Sequence, residues 1–381
     1  MKIVILDITG RNAVQYNPSL CNALSKIEKN VTLLSPTLSC AERNFKYIHL
    51  INLVPKSWTS KKTKYKRLLR AIEAILNYIY VWIYILYKKP DIMHFQWLPF
   101  LEFSSIEKKV LRLYFYTCRK TKIFLTVHNV YPHNLNKVQE KKYHRNFLKI
   151  DPFITGYLVH LKSSEEELVR EYFIKKEKIH IAYHGIYKAD GVNIYHKSVN
   201  EKYHIILYGS QSGYKGTDIF IDALKKIPRL FLEKMSIKII GQTEKELYDK
   251  YINIAEELGV VWINKYVKDN VLYQAIEESD LIILPYVNIT QSGVLLLALS
   301  YIKPIITSDL ASFKETLSGY TDDCFFESGN PDSLAKLIIR YIKGEIDIEK
   351  QKSIIKKLNI KYSWDNTAKE TLKAYKYNTE Y

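Results

Sequence analysis

The residues best suited to chemistry lie in short polar turns that follow apolar runs. Residues 207–218 (LYGSQSGYKGTD) join one such run to a helix-like segment through three glycines and a single lysine. Glycines let backbone N–H groups come close to an anion, and a helix start adds its partial positive charge. Lys215 is then placed to neutralise a diphosphate. A second turn, residues 288–300 (NITQSGVLLLALS), follows DLIILPY and opens an apolar helix. Ser292, Gly293 and Val294 would present successive amides there, with the hydroxyls of Thr290 and Ser292 beside them. Plain helix capping by either hydroxyl is the simpler alternative. Two anion-suited helix starts in one half of the chain suggest a nucleotide diphosphate.

A second set of candidates lies in the first half. His128 ends the run TVH and is followed by Asn129 and His133. At a strand end it could donate to an anionic or hydroxyl-bearing ligand and change protonation near neutral pH. His94, inside the apolar DIMHFQW, reads as a core residue. The basic cluster Lys56, Lys61, Lys62, Lys64, Lys66, Arg67 and Arg70 includes Trp58 and Tyr65. Lysines beside an interfacial tryptophan suit an anionic membrane surface, and solvated helix faces are the alternative. Aromatics among basics also suit single-stranded nucleic acid, but no RNP-like, helix-turn-helix or zinc pattern accompanies them, so no nucleic-acid partner is expected. The four cysteines are far apart and make no metal spacing. They read as reduced thiols of a cytosolic protein, with no metal expected.

Elements of two kinds must position these residues. Short Ile/Val/Leu-rich runs alternate with longer charged, periodic segments, the pattern of strands and helices in parallel sheets. Strands are expected at residues 2–8, 30–36, 91–97, 122–130, 153–161 and 178–186, and then at 204–210, 236–242, 260–267, 280–286 and 303–309. The polar stretch 187–202 reads as a linker between two doubly wound α/β domains. At 381 residues the chain is too long for one ordinary core. Ligands bind such sheets beyond the carboxyl ends of the strands, where the conspicuous turns fall. Neither half opens with GxGxxG, and there is no GxxxxGK[ST], which argues against a nicotinamide or flavin dehydrogenase and a P-loop enzyme.

Charge divides the two halves. Residues 1–190 hold 32 Lys and Arg against 15 Asp and Glu, whereas residues 191–381 hold 25 of each. The excess favours anionic partners for the first half. No secretory signal is evident at the N-terminus. The longest apolar run, residues 71–87, is interrupted by Glu73 and Asn77 and reads as a core helix, with a membrane-associated helix as the alternative.

Taken in order, these motifs resemble the family-four retaining glycosyltransferases, in particular a QSG-bearing subgroup. DIMHFQWLPF, LTVHNVYPH, YLVHLKSSEEELVREYF and KIHIAYHGIY carry the likeness in the first half. In the second half it is carried by GYKGTDIFIDAL, YVKDNVLYQAIEESDLIILPY, TQSGVLLLAL and KPIITSDLASFKE, and SWDNTAKETLKAY looks like a helix that crosses back. The resemblance implies an α/β GT-B fold, two Rossmann-like domains facing across a cleft. Its implied boundaries are an acceptor domain of residues 1–190 with helix 363–381, and a donor domain of residues 200–362. It implies transfer from a nucleotide sugar to a glycan or lipid-linked acceptor with retention, without a cofactor or metal, in surface polysaccharide or glycolipid assembly.

By the same resemblance Lys215 contacts the donor diphosphate and His128 lies near the transferred sugar. Gly10, Gly209, Ser210, Gly241, Tyr266, Val267, Gln291, Ser292, Gly293, Val294 and Glu315 are the expected donor contacts. Lys56, Trp58, Lys61, Lys62, Lys64, Lys66 and Arg67 are expected to face the acceptor or the cytoplasmic side of the membrane. Two features depart from the pattern. Ile289 and Leu297 occupy the positions of a usual glutamate pair, and Ser210 or Ser212 replaces an arginine. A non-catalytic sugar-nucleotide-binding subunit and a sugar-nucleotide epimerase are the alternatives.

Overall fold

The computed structural model describes residues 1–10, 15–40, 42–54, 64–130, 136–187, 202–289 and 292–377. The chain forms two compact units, Met1–Gly185 with Ser363–Tyr381, and Ile186–Tyr362. The first carries strands β1 (Lys2–Asp7), β2 (Asn30–Ser35), β3 (Lys46–His49), β4 (Ile92–Trp97), β5 (Lys122–Val127), β6 (Gly156–Val159) and β7 (Ile179–Ile181). Around them lie α1 (Tyr16–Ser25), α2 (Lys64–Lys88), α3 (Ile106–Thr117), α4 (Lys137–Ile150) and α5 (Lys162–Tyr172). All seven strands run parallel in the order β3-β2-β1-β4-β5-β6-β7.

The second unit carries β8 (Tyr203–Tyr208), α6 (Thr217–Lys225), α7 (Arg229–Leu232), β9 (Met235–Ile240), α8 (Lys245–Glu257), β10 (Val260–Ile263), α9 (Asp269–Glu277) and β11 (Leu281–Leu284). Then come α10 (Gly293–Ser300), β12 (Ile305–Ser308), α11 (Ala311–Thr316), β13 (Phe325–Phe326), α12 (Pro331–Ile342) and α13 (Ile348–Lys361). Its strands form a parallel sheet ordered β10-β9-β8-β11-β12-β13. In both sheets the order reverses beside the first strand, between β1 and β4 and between β8 and β11. At such a reversal the connections leave in opposite directions and open a crevice at the strand ends.

The apolar runs of the sequence are the strands buried on both faces: β1, β4 and β5 each bury five of six residues. Two strands fall outside the sequence expectation. β3 and β13 are four and two residues long and lie at sheet edges; no residue of β3 is fully buried, and β13 is too short to show a pattern. The last helix, α14 (Trp364–Tyr377), belongs to the first unit. Its Ala368, Leu372 and Tyr375 share a core with Tyr16, Leu20, Cys21 and Leu24 of α1. Gly185 is needed beneath it, because a Cβ there would lie only 2.2 Å from the Trp364 indole.

Helix α2 departs from the core helix read in the sequence. One face, Ala74, Tyr78, Val81 and Ile85, is buried, while Leu68, Ile72, Ile75, Ile79, Ile83 and Tyr87 on another are exposed. The two residues that interrupt the apolar run are its inward anchors. Asn77 accepts from Ile51 N–H (2.8 Å) and donates to the carbonyls of Ile51 (3.0 Å) and Ile8 (3.2 Å). Glu73 accepts from Leu53 N–H at 2.8 Å.

Candidate functional site

In the second unit the turns after β8 and β11 are bound to each other. Val287 N–H donates to the Tyr214 carbonyl at 2.9 Å. Gly216, at φ +69°, lies against Pro285 so closely that a Cβ would stand 1.9 Å from its carbonyl oxygen. Gly209, at φ +96°, supports a second close approach: Val294 Cγ2 and Lys215 Nζ lie 3.0 and 3.5 Å from the point its Cβ would occupy. Gly241 seals the back of the turn, with a Cβ position 2.0 Å from the Gly209 carbonyl oxygen. The side chain of Gln211 holds the loop from within, donating to Gly209 O (2.6 Å) and accepting from Thr217 Oγ1 (2.8 Å). Nothing in the string GSQSG marks Gln211 as the organiser, since its partners are set by the loop's shape.

Lys215 is 8% exposed, and burial pushes its ammonium down to about 8. The ammonium lies over the Tyr286 ring, 5.2 Å from the centroid, and makes no hydrogen bond or ion pair among the described residues. A cation held in low dielectric without a counter-charge is costly by itself and well matched to an anionic ligand. Ser292 caps α10, its Oγ accepting from Leu295 N–H at 3.1 Å. The capping alternative therefore holds for that lone pair. The amides of Gly293 and Val294, in the first turn, find no acceptor among the described residues, as helix starts require.

The other expected contacts are less concentrated. Ser210 Oγ bonds the Gln242 carbonyl at 3.3 Å. Glu315 is half-buried on α11, and Ser312 of that helix ties it to the turn after β11 through Ile289 O (2.9 Å). Tyr266 is 80% exposed and, with Val267, follows the edge strand β10, two strands from β8. Gln291 lies outside the described residues. Gly10 belongs to the other unit, where at φ +62° it is held by Asp7, which accepts from its N–H at 2.8 Å, and by Thr37.

In the first unit His128 follows β5 and meets His160, which follows β6. His160 Nδ1 is 2.8 Å from the Ala182 carbonyl, so that nitrogen carries the proton. Burial holds His160 down to about 4, so its Nε2 is a bare acceptor. His128 Nδ1, 3.1 Å away, is then the donor, and its buried Nε2 is an acceptor with no partner among the described residues. The expectation of a donor that titrates near neutrality is thus corrected. Burial, then the neighbouring His160, His184 and His94, keep His128 well below the usual histidine range, so it is a neutral hydrogen-bond acceptor. Tyr16 braces the group edge-on, 4.9 Å from the His128 and His184 rings. His94 is the core residue expected, with both nitrogens engaged, to Tyr375 Oη and Thr126 Oγ1 at 2.7 Å.

Beside His128 lies a void of about 20 Å³, space for one water-sized group. It shares Trp97 and Glu102 with a cavity of about 730 Å³ that Thr9, Arg70, Phe100, Phe103 and Gln139 also line. That volume is within the range of small-molecule sites. Burial raises the Glu102 carboxyl above its ordinary value. Sequence reading missed Trp97, Glu102 and His160 as site residues; their position at or beyond the carboxyl ends of the parallel strands β4 and β6 is the only signal they carry. Of the basic cluster, Lys66 lies in the first turn of α2 and is partly exposed. Lys56, Trp58, Lys61, Lys62 and His133 lie outside the described residues, as do the side chains of Lys64 and Arg67.

Comparison with known proteins bears on this geometry. Anabaena HepE, solved in complex with UDP, superposes with a TM-score of 0.67 over 98% of this chain and 99% of its own, at 13% identity. The fold is GT-B. Residues 202–344, which contain both turns of the second unit, match the family described as glycosyl transferases group 1. An uncharacterized glycosyltransferase of Methanocaldococcus jannaschii is 25% identical over 233 residues, 56% of this chain and 58% of that protein. A GDP-mannose:glycolipid 4-beta-D-mannosyltransferase of Xanthomonas campestris is 27% identical over 123 residues, 31% of this chain and 33% of its own. The matched stretches thus span less than two thirds of either relative.

Proposed function

We propose that the protein is a retaining glycosyltransferase. It transfers a hexose-type sugar from a nucleotide-sugar donor to a glycan or lipid-linked acceptor, in surface polysaccharide or glycolipid assembly. The observation that carries this reading is the buried, uncompensated Lys215 ammonium beside Gly209 and the first turn of α10. A departing nucleoside diphosphate develops negative charge, and a preorganised cation with two free amides stabilises it without reorganisation. The UDP bound by Anabaena HepE and the GDP-mannose donor of the Xanthomonas relative support a nucleotide-sugar donor here. Among the described residues no cluster of acidic, His or Cys side chains is suited to a metal, and the proposed chemistry uses none.

On the acceptor side, the 730 Å³ cavity combines aromatic walls with Arg70, Glu102 and Gln139, a lining suited to sugar rings and their hydroxyls. A hydroxyl reaching His128 would donate to its Nε2. The glycolipid acceptor of the Xanthomonas relative and the basic first half support the further reading that the enzyme works at the cytoplasmic face of the cell membrane.

The test is incubation with a panel of nucleotide sugars and mass spectrometry of the products. Turnover with one donor, and nucleotide-induced thermal stabilisation, are expected. Binding without turnover would make the protein a sugar-nucleotide-binding subunit, and an altered free nucleotide sugar would make it an epimerase. Because His128 is already neutral, the rate should show no inflection between pH 6 and 7, the ordinary histidine range. A single histidine-like step there would contradict the hydrogen-bond chain derived above.

A further inference from the structure

We propose that the solvent side of α2 and α3 is a docking surface for an anionic lipid bilayer, with α2 lying along the membrane plane. The exposed stripe Leu68, Ile72, Ile75, Ile79, Ile83 and Tyr87 follows helical spacing for about 28 Å, at 1.5 Å per residue. Helix α3 extends it with exposed Leu113, Phe115 and Tyr116. On their solvent side the helices are joined by Trp82, whose indole N–H donates to Thr117 Oγ1 at 3.0 Å. Monomeric proteins rarely leave so much contiguous apolar surface uncovered.

Charge identifies the occupant. Arg70, Lys88, Lys89, Lys109, Arg112, Arg119 and Lys120 are exposed on and beside these helices, and none forms an ion pair among the described residues. Lys88 lies over the Tyr87 ring at 4.5 Å and Arg112 over Tyr116 at 5.8 Å. The only carboxylates on α2 and α3, Glu73 and Glu107, are buried. A two-fold pairing of this face with itself would therefore set cations against cations without a counter-charge. A bilayer bearing anionic headgroups receives the apolar stripe and pairs with its basic margins.

The stretch Leu68–Lys88 is long and apolar enough to cross a membrane by length and composition. Its inward anchors oppose that. Spanning would strip Glu73 and Asn77 of the backbone partners they hold in the first unit and leave those groups unsatisfied in hydrocarbon. Lying on the surface keeps them. The inference deepens the membrane placement proposed above and is independent of sugar transfer: loss of either activity leaves the other's measurement intact.

The experiment is flotation of the full chain with phosphatidylcholine vesicles and with vesicles that also contain phosphatidylglycerol. Strong binding to the second, weakened by salt, is expected. Ile79→Glu with Ile83→Glu should abolish it. Lys109→Ser, Arg112→Ser and Lys120→Ser should weaken it by about fivefold for each cation removed. All these variants should keep the melting temperature and the far-UV circular dichroism of the parent, which shows that they are folded. The proposal is overturned if the parent does not float, or if the Ile79→Glu, Ile83→Glu variant floats equally well. A parent dimer that this variant converts to monomers would overturn it too, and assign the face to a second copy of the chain.

Discussion

Replacing Lys215 by methionine should lower sugar transfer by about 10²- to 10³-fold, the usual loss on removing one preorganised donor at a developing anion. The same substitution should raise the unfolding temperature of the ligand-free protein. The two effects share a cause. Burial takes the ammonium down to about 8 from its ordinary 10.5, so the folded state binds the proton less tightly than the unfolded state does. For such a group the stability contribution is fully present above pH 10.5 and lost as pH falls through 8. At pH 7 the free protein thus carries nearly the whole cost, about 3 kcal/mol at roughly 1.4 kcal/mol per pH unit. Methionine fills similar space without charge. The gain in melting temperature should be near its full size at pH 7 and shrink steadily as pH rises from 8 to 10.5, and nucleotide should no longer stabilise the variant. Differential scanning calorimetry with and without UDP or GDP measures all three. A methionine variant that melts lower at pH 7 and still responds to nucleotide would remove Lys215 from the site.

Gly216→Ala and Gly213→Ala, three residues apart, should differ by several kcal/mol. At Gly216 a methyl group would overlap the Pro285 carbonyl oxygen, and φ is +69°. The left-handed backbone costs 1–2 kcal/mol for an L-residue and overpacking typically another 1–3, so a loss of about 2–5 kcal/mol is expected. The turn can yield only by parting from the one after β11, so nucleotide binding should fall with stability. At Gly213 no heavy atom lies within 4 Å of the Cβ position, and alanine should change the melting temperature little. Equal melting temperatures for the two variants would show that the contact between the turns is not tight.

Much of this site is local in the chain, which is why it could be read there. A lysine among the three glycines of a strand-to-helix turn, and a serine–glycine pair opening an apolar helix, need only short-range geometry. What could not be read is assembled across distance. His128 and His160 are 32 residues apart and meet because β5 and β6 are neighbours. Their protons follow from a third partner, Ala182 O. The outer face of α2 was hidden for another reason: Glu73 and Asn77 look like solvent-facing breaks in an apolar run, whereas both point inward to backbone partners. The strands were legible except for β3 and β13, two edge strands with too little buried length to impose a pattern.

The return of α14 to the first unit sets an order on synthesis. Residues 186–362 are all available to complete their sheet once Tyr362 has left the ribosome. The unit that was begun first must wait, with Tyr16, Leu20 and Leu24 uncovered, until Trp364, Ala368, Leu372 and Tyr375 arrive. Domains commonly mature in the order in which they are made; here the half translated first is the last to close, and the newborn chain presents a greasy seam to chaperones until α14 emerges.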